Sequence, residues 1–79
     1  MKVKVKFFSV HREILGASEI AIDVDKGARI EDLLEILTKR YPNLKRVSTF
    51  VSLNHHFAKA SDELKDGDEV ALFPPVGGG

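Results

Sequence analysis

The sequence contains no cysteine among its 79 residues. Disulfide bonds, thiolate-bound zinc, iron–sulfur clusters and any mechanism that carries a group on a cysteine of this chain are therefore excluded. The chain also has no excess of charge of one sign, because twelve Lys and Arg residues balance twelve Asp and Glu residues. This neutrality argues against nucleic acid as the main partner.

A long hydrophobic run is missing as well. The N-terminal residues alternate lysine with apolar side chains and lack the continuous apolar segment of a signal peptide. No run approaches the roughly 18 apolar residues that span a bilayer. We therefore expect one small domain in the cytoplasm, with no membrane partner.

Two alternating segments predict strands near the N-terminus. Apolar and polar residues alternate over Lys2–Phe7 and again over Glu19–Val24. The short connection through Gly16 predicts an antiparallel hairpin. The alternation breaks at Phe8 and Val10, which indicates either a bulge or a second apolar contact near the end of the first strand.

A helix follows the second strand. Apolar residues recur at helical spacing over residues 30–37, with acidic residues first and basic residues last, as the helix dipole favours. Pro42 predicts that the helix ends near Tyr41. Its start is less regular, because Arg29 occupies a position where Ser, Thr or Asp would cap better.

The C-terminal half predicts further strands and turns. Thr49–Leu53 is rich in β-forming residues, Asn54 predicts a tight turn with left-handed backbone, and a short strand follows. Lys65–Asp68 predicts a second turn, and Glu69–Phe73 predicts the last strand. Together the elements predict an α+β fold in which a sheet packs on one main helix.

The chain ends in two prolines, a valine and three glycines. Paired prolines favour an extended backbone that leaves the domain, and glycine has no side chain to bury or to obstruct a narrow channel. A terminal carboxylate can be activated as an anhydride and then attacked by a nucleophile. We therefore divide the chain into a domain of residues 1–73 and a flexible tail of residues 74–79, with an idle flexible end as the alternative.

Motifs along nearly the whole chain carry a family resemblance. They are Val3–Phe8 followed by Arg12, Glu13 and Gly16, the pair Tyr41 and Pro42, the turn at Leu53 and Asn54, Leu64–Val70, and Phe73–Val76 before the glycines. In combination they resemble the MoaD family, the small subunits of molybdopterin synthase. The resemblance implies a ubiquitin-like β-grasp fold, a mixed sheet packed on one helix, which agrees with the predicted order of elements.

The resemblance implies a sulfur carrier that is not an enzyme on its own. An E1-like activating enzyme of the MoeB type would use ATP to adenylate the carboxylate of Gly79, which would then become a thiocarboxylate. The tail, with Gly77, Gly78 and Gly79, would enter a MoaE-like large subunit and donate sulfur to the pterin precursor of the molybdenum or tungsten cofactor. Two small and two large subunits would form a heterotetramer. The chain itself would hold no catalytic residue and bind no cofactor.

By position in the matching motifs, the resemblance also implies residues that contact the partner. They are Phe73, Pro74, Pro75, Val76, Phe57, Arg12 and Phe8. The alternative is that the phenylalanines belong to the core and that Arg12 is a solvated turn residue. For Phe7 the alternation favours the core.

The sequence departs from the family at Gly77, where a small or polar residue is usual, and at Arg29, where a capping threonine is frequent. Two related functions stay open: a thiamine-type (ThiS) sulfur carrier, and a ubiquitin-like modifier joined through Gly79 to lysines of other proteins. Paired prolines favour the pterin pathway. His11, His55 and His56 predict no metal site, because no carboxylate cluster lies near them at ligand spacing.

Overall fold

The structure is a computed structural model that describes residues 1–75. That part of the chain forms five strands, two α-helices and one 3-10 helix. In chain order they are β1 (Lys2–Phe7), α1 (Val10–Leu15), β2 (Glu19–Asp23), α2 (Ile30–Arg40), the 3-10 helix (Pro42–Arg46), β3 (Phe50–Leu53), β4 (His56–Phe57) and β5 (Glu69–Phe73).

The five strands form one mixed sheet in the order β2-β1-β5-β3-β4. β1 lies between β2, to which it is antiparallel, and β5, to which it is parallel. β3 pairs antiparallel with both β5 and β4. The antiparallel pairing of the first two strands and the α+β, β-grasp arrangement of a sheet on one main helix are confirmed.

The core lies between one face of the sheet and α2. Alternate residues of β1 and β5 point into it, and one stripe of α2 covers them. Its most deeply buried apolar members are Val3, Val5, Phe7, Ile30, Leu33, Leu37, Leu64, Val70 and Leu72. Burying an aliphatic or phenylalanine side chain contributes roughly 1.5–3 kcal/mol, so this set supplies most of the driving force for folding.

The connection between β1 and β2 differs from the predicted turn at Gly16 with a bulge at Phe8. β1 ends at Phe7, and α1 fills Val10–Leu15. Gly16 ends α1 with a left-handed φ of 72°, and its N–H donates to the carbonyl oxygen of Arg12 at 2.9 Å. The predicted bulge is wrong: the alternation breaks because the strand gives way to a helix too short to show its own period.

Helix α2 ends immediately before Tyr41, as Pro42 predicts. At its start the carboxylate of Asp32 accepts a hydrogen bond from the backbone N–H of Arg29 at 2.9 Å. This bond satisfies the backbone N–H of Arg29. The guanidinium of Arg29 cannot accept a hydrogen bond, so it cannot cap the helix as the side chain of Ser, Thr or Asp would. Pro42 then opens the 3-10 helix, which the sequence pattern did not predict.

Asn54 and His55 form the tight turn between β3 and β4. Both have positive φ, 50° and 72°, the backbone geometry of a two-residue type I′ hairpin. The side-chain oxygen of Asn54 accepts from the N–H of Glu69, and its side-chain nitrogen donates to Asp68, both at 3.0 Å. The predicted left-handed turn at Asn54 is therefore confirmed, and it is tied to the start of β5.

Candidate functional site

The parallel pairing of β1 and β5 sets the point where the tail leaves the domain. Phe7 lies opposite Leu72 in the register, and the N–H of Phe8 donates to the carbonyl oxygen of Leu72 at 3.2 Å. The carboxyl ends of both strands therefore meet at one end of the sheet. Pro74 and Pro75 follow β5 at that same end, beside the start of α1.

Three phenylalanines lie next to this exit, on the sheet face opposite α2. Phe73 pairs with Phe50 across β5 and β3, and Phe57 pairs with Ser52 across β4 and β3. The ring centroids of each phenylalanine pair are 6.2 Å apart. Two of the pairs meet edge to face, which the quadrupoles of the rings favour. We call Phe50, Phe57 and Phe73 the aromatic cluster.

The aromatic cluster is apolar and yet accessible to solvent. Phe57 is 77% exposed and Phe50 is 43% exposed, while Phe73 is half-buried. Burial of these rings against another protein would remove apolar surface from water. Aromatic side chains also dominate the energetics of many protein interfaces, so the cluster has the chemistry of a docking surface.

The structure places the predicted partner-contact residues on both sides of β5. Phe57 and Phe73 lie together in the aromatic cluster on the β3–β4 side. Phe8, which is 47% exposed, and the exposed Arg12 lie on the β1–α1 side. Phe8 and Phe57 are therefore not core residues, whereas Phe7 is buried, as its alternation predicts. Partner contact by these residues stays a prediction.

The described part of the tail is short. Pro74 is half-buried and Pro75 is exposed. Val76, Gly77, Gly78 and Gly79 lie outside the described residues, so their contact with a partner, their threading and the modification of Gly79 stay predictions.

Phe50 belongs to the aromatic cluster, although the sequence assigned it no role. Val51 and Leu53 of β3 pair with the inward-facing residues of β5, so Phe50 and Ser52 face the other side of the sheet. The sequence offered one signal for this orientation: Phe50 lies two positions before the polar residue Ser52, so both are expected on the same face of the strand. A strand of four residues is too short for that phase to be decisive.

The β1–β2 half of the same sheet face is charged. Lysines at alternate positions of β1 approach carboxylates of the neighbouring strands, Lys2–Asp23 and Lys4–Glu19 at 3.9 Å and Lys6–Glu69 at 3.3 Å. Exposed pairs of this kind contribute at most about 1 kcal/mol each to stability. The carboxylates nevertheless compensate the positive charge of the lysines of β1.

His11 is buried in the domain, with no exposed surface, which the sequence did not predict. Its Nε2 lies 2.8 Å from Oγ1 of Thr49, so α1 is tied to the residue before β3. Burial lowers the pKa of His11, and the backbone carbonyl of Phe8 opposes this by raising it. The neutral imidazole therefore holds a structural position between α1 and the sheet.

Residues 1–75 contain no group of three or more His, Asp or Glu side chains that could hold a metal ion. His55 and His56 are both exposed. No helix in this part of the chain is long and apolar enough to cross a membrane.

Known protein sequences resemble this chain from end to end. The model of the ThiS family matches residues 5–79. The chain is 39% identical to the molybdopterin synthase sulfur carrier subunit of Chlamydomonas reinhardtii, with all of both chains covered. It is 32% identical to small archaeal modifier protein 3 of Haloferax volcanii, again over the full length of both.

Solved structures share the fold. Molybdopterin converting factor subunit 1 of Pyrococcus furiosus superposes with a TM-score of 0.91 at 36% identity, covering 96% of this chain and 99% of that one. A chain in the complex of subunits 1 and 2 of the molybdopterin-converting factor of Helicobacter pylori has a TM-score of 0.72 at 29% identity, with both chains fully covered.

Proposed function

The chain belongs to the ThiS family, in its MoaD-like group of small non-catalytic sulfur carriers, and we propose that it carries sulfur for molybdopterin synthesis. In this proposal Gly79 is the residue that is activated and loaded. The folded domain positions the tail and supplies the surface on which partner enzymes dock.

The aromatic cluster beside the tail exit is the observation that carries this proposal. A carrier must hold an enzyme by its surface while it passes its terminal carboxylate into that enzyme's active site. Docking surface and tail must therefore lie at one end of the molecule, and Phe73 links them because it belongs to the cluster and directly precedes Pro74. The full-length likeness to sulfur carrier subunits favours the pterin pathway.

Loading would proceed in two steps on the activating enzyme. A carboxylate oxygen of Gly79 would attack the α-phosphorus of ATP, and the bond to pyrophosphate would break, leaving an acyl adenylate. Hydrosulfide would then attack the acyl carbon, AMP would leave with the electrons of the C–O bond, and loss of a proton would give the thiocarboxylate. ATP would be bound by the activating enzyme, and this chain would bind no cofactor.

Delivery would take place in a large subunit of the MoaE type. The thiocarboxylate sulfur would attack a carbon of the pterin precursor and displace an oxygen substituent, which leaves with the electrons of its C–O bond. Water would then cleave the resulting acyl–sulfur bond, which leaves sulfur on the pterin and restores the carboxylate of Gly79. Two such deliveries would supply both sulfur atoms of the dithiolene. The aromatic cluster, with Phe8 and Arg12, would contact the large subunit and the activating enzyme in turn.

Intact-mass measurement tests the loading step. The chain is incubated with ATP, sulfide and the activating enzyme of its own organism, and we expect a mass increase equal to the difference between sulfur and oxygen. A variant that lacks Gly78 and Gly79 is the control and should gain no mass. An unchanged mass of the full chain, while the enzyme loads another carrier in the same mixture, would contradict the proposal.

The acceptor is tested separately. The loaded chain is mixed with a MoaE-type large subunit and the cyclic pterin precursor, and formation of molybdopterin is followed. If the loaded chain instead supplies sulfur only to thiazole synthesis, the thiamine-type alternative holds.

The likeness to small archaeal modifier protein 3 favours conjugation as a second function. In that case an acceptor lysine would attack the acyl adenylate of Gly79, AMP would leave, and an isopeptide bond would form. Mass spectrometry of trypsin-digested cellular proteins tests this function by searching for residues 66–79 attached to lysine, because Lys65 is the last trypsin site of the chain. The variant that lacks Gly78 and Gly79 should leave no such remnant.

A further inference from the structure

The charges of this neutral chain are unevenly distributed along the sequence. Between residues 36 and 61 there is no Asp or Glu, whereas five Lys and Arg residues occur there. The acidic residues are correspondingly concentrated in the remaining segments.

The fold gathers basic residues of this segment at the end of the domain where the tail leaves. α2 passes directly into the 3-10 helix at Tyr41, and α1 packs against the 3-10 helix. The hydrogen bond of 2.8 Å between His11 and Thr49 connects α1 to the start of β3, where Phe50 pairs with Phe73. The last turn of α2, the 3-10 helix and α1 therefore surround the carboxyl ends of β1 and β5.

Four cations lie on these elements. Arg40 ends α2, Lys45 and Arg46 lie on the 3-10 helix, and Arg12 lies on α1. All four side chains are exposed. Within residues 1–75 the ion pairs shorter than 4.0 Å involve other basic residues, so none of these four forms a direct ion pair there. We call Arg12, Arg40, Lys45 and Arg46 the positive pole.

The opposite end of the domain carries five of the twelve acidic residues. The connection from β2 to α2 and the segment from residue 60 to 68 meet there, as the bond from the N–H of Leu64 to the carbonyl oxygen of Ala28 shows. The second segment also contacts the N-terminus, where the N–H of Gly67 donates to the carbonyl oxygen of Lys2. The carboxylates of these segments are Asp25, Asp62, Glu63, Asp66 and Asp68.

We propose that the positive pole docks on an acidic protein surface that surrounds the opening into which the tail is inserted. This inference rests on the proposed function, because it assigns the chemistry of the surface that receives Gly79. A charge separation between the two ends of the domain turns the molecule so that the end at which Pro74 leaves β5 approaches an acidic opening first. Such steering raises the rate of productive encounter and weakens with salt.

A protein surface fits the positive pole better than nucleic acid does. Four cations are few for a nucleic-acid site, which gains affinity from many phosphate contacts. The acidic opposite end would also repel a long polyanion, and the zero net charge gives no overall attraction to one. An acidic rim around one opening, in contrast, meets only the tail end of the domain.

The test compares two charge reversals of equal size. Arg40→Glu with Arg46→Glu reverses the positive pole, and Lys26→Glu with Lys65→Glu makes the same change of net charge at exposed positions of the opposite end. The kcat/KM for adenylation of the full-length chain by the activating enzyme of its own organism is measured for both variants, from about 0.05 to about 0.2 M salt.

We expect the reversal at the positive pole to lower kcat/KM at low salt by at least about tenfold and to flatten its salt dependence. The reversal at the opposite end should leave kcat/KM within about twofold of the unaltered chain. Arg40→Gln with Arg46→Gln, which adds no carboxylate to the end of α2, should give an intermediate loss. Circular dichroism melts confirm that each variant is folded.

Equal losses in both reversals, or no loss at the positive pole, would overturn the inference while leaving the proposed function intact. Binding of a short single-stranded RNA that persists at the higher salt and is lost on reversal of the positive pole would also overturn it, because the pole would then serve nucleic acid. If the unaltered chain is not adenylated at all, the proposed function fails, and this inference fails with it.

Discussion

The five phenylalanines of this chain have different roles because they differ in how much of each side chain is exposed to solvent. Phe7 is 1% exposed and fills the core, whereas Phe57, on the two-residue strand β4, is 77% exposed. An exposed aromatic ring adds little to folding, since its surface stays in water in the native state. The free energy gained by removing that surface from water is therefore available for binding a partner.

Replacement of Phe57 should therefore separate binding from stability. We expect Phe57→Ala to weaken binding to the large subunit by about 1–2 kcal/mol, roughly five- to thirtyfold in Kd, and Phe73→Ala to weaken it as well. The free energy of unfolding should change by less than about 0.5 kcal/mol for Phe57→Ala. Isothermal titration calorimetry and urea unfolding give the two quantities.

Two variants serve as controls for this prediction. His56→Ala alters the neighbouring residue of β4, which faces the other side of the sheet, and should leave Kd unchanged. Phe7→Ala should cost about 3–5 kcal/mol of stability because it empties a core position. An unchanged Kd for both Phe57→Ala and Phe73→Ala would show that the aromatic cluster is not the docking surface.

His11 makes the stability of the domain depend on pH. Burial holds its pKa below the ordinary value of 6.5, so at mildly acidic pH the unfolded chain binds a proton that the folded chain does not. Stability that is present above pH 6.5 is then lost as the pH falls toward the folded-state pKa, by up to about 1.4 kcal/mol per pH unit. Urea unfolding between about pH 7.5 and 5 measures this slope.

The variant His11→Gln tests the origin of the slope. Glutamine does not titrate and can keep a hydrogen bond to Thr49. We expect a lower stability at neutral pH and a flatter dependence on pH. A slope equal to that of the unaltered chain would assign the pH effect to other groups.

At the scale of elements, α1 is the part of the fold that local sequence describes least well. It is only six residues long, and it is held by special backbone geometry at both ends. Ser9 precedes it with φ 52° and ψ −126°, a region that glycine favours. Gly16 follows it with φ 72°. α1 supplies both Arg12 and His11, so its placement affects the surface and the core.

Substitutions at the two ends of α1 should have opposite effects. Ser9→Gly removes a strained φ and should raise the free energy of unfolding by about 0.5–1 kcal/mol. Gly16→Ala places a Cβ at a left-handed position and should lower it by about 1 kcal/mol. Thermal unfolding measures both, and effects of the same sign would contradict the backbone geometry described for α1.

At the scale of the whole molecule, the two tasks of a carrier are assigned to separate parts of the chain. The aromatic cluster and the positive pole lie on the folded domain, and the reactive group is proposed at residue 79. Docking should therefore be independent of loading.

Deletion of Gly78 and Gly79 tests this independence. We expect the shortened chain to bind the large subunit with a Kd within about twofold of that of the full chain, and to support neither pterin synthesis nor conjugation. It should therefore inhibit the full chain in a mixed assay by occupying the large subunit. Normal cofactor synthesis with the shortened chain would refute the proposed role of Gly79.

Much of the local structure could be predicted from the sequence, because it depends on neighbours along the chain. Alternation identified the inward residues of β1, helical spacing and Pro42 bounded α2, and Asn54 marked the turn before β4. The motif resemblance identified Phe57 and Phe73 as candidates for partner contact. α1 and the 3-10 helix escaped prediction because segments of six residues or fewer span less than two helical turns, too few for the spacing of apolar residues to repeat.

By itself, the sequence determined the strands, the main helix α2, the absence of cysteine chemistry and the run of glycines after the paired prolines. Only the tertiary structure decided that β1 and β5 run parallel, that Phe50 joins Phe57 and Phe73 beside the tail, that His11 is buried, and that the cations collect at the same end. The physical reason is that strand order and burial follow from contacts between residues distant in the chain. Many sheet orders satisfy the same local pattern, and only the packing of α2 and the pairing of strands select one.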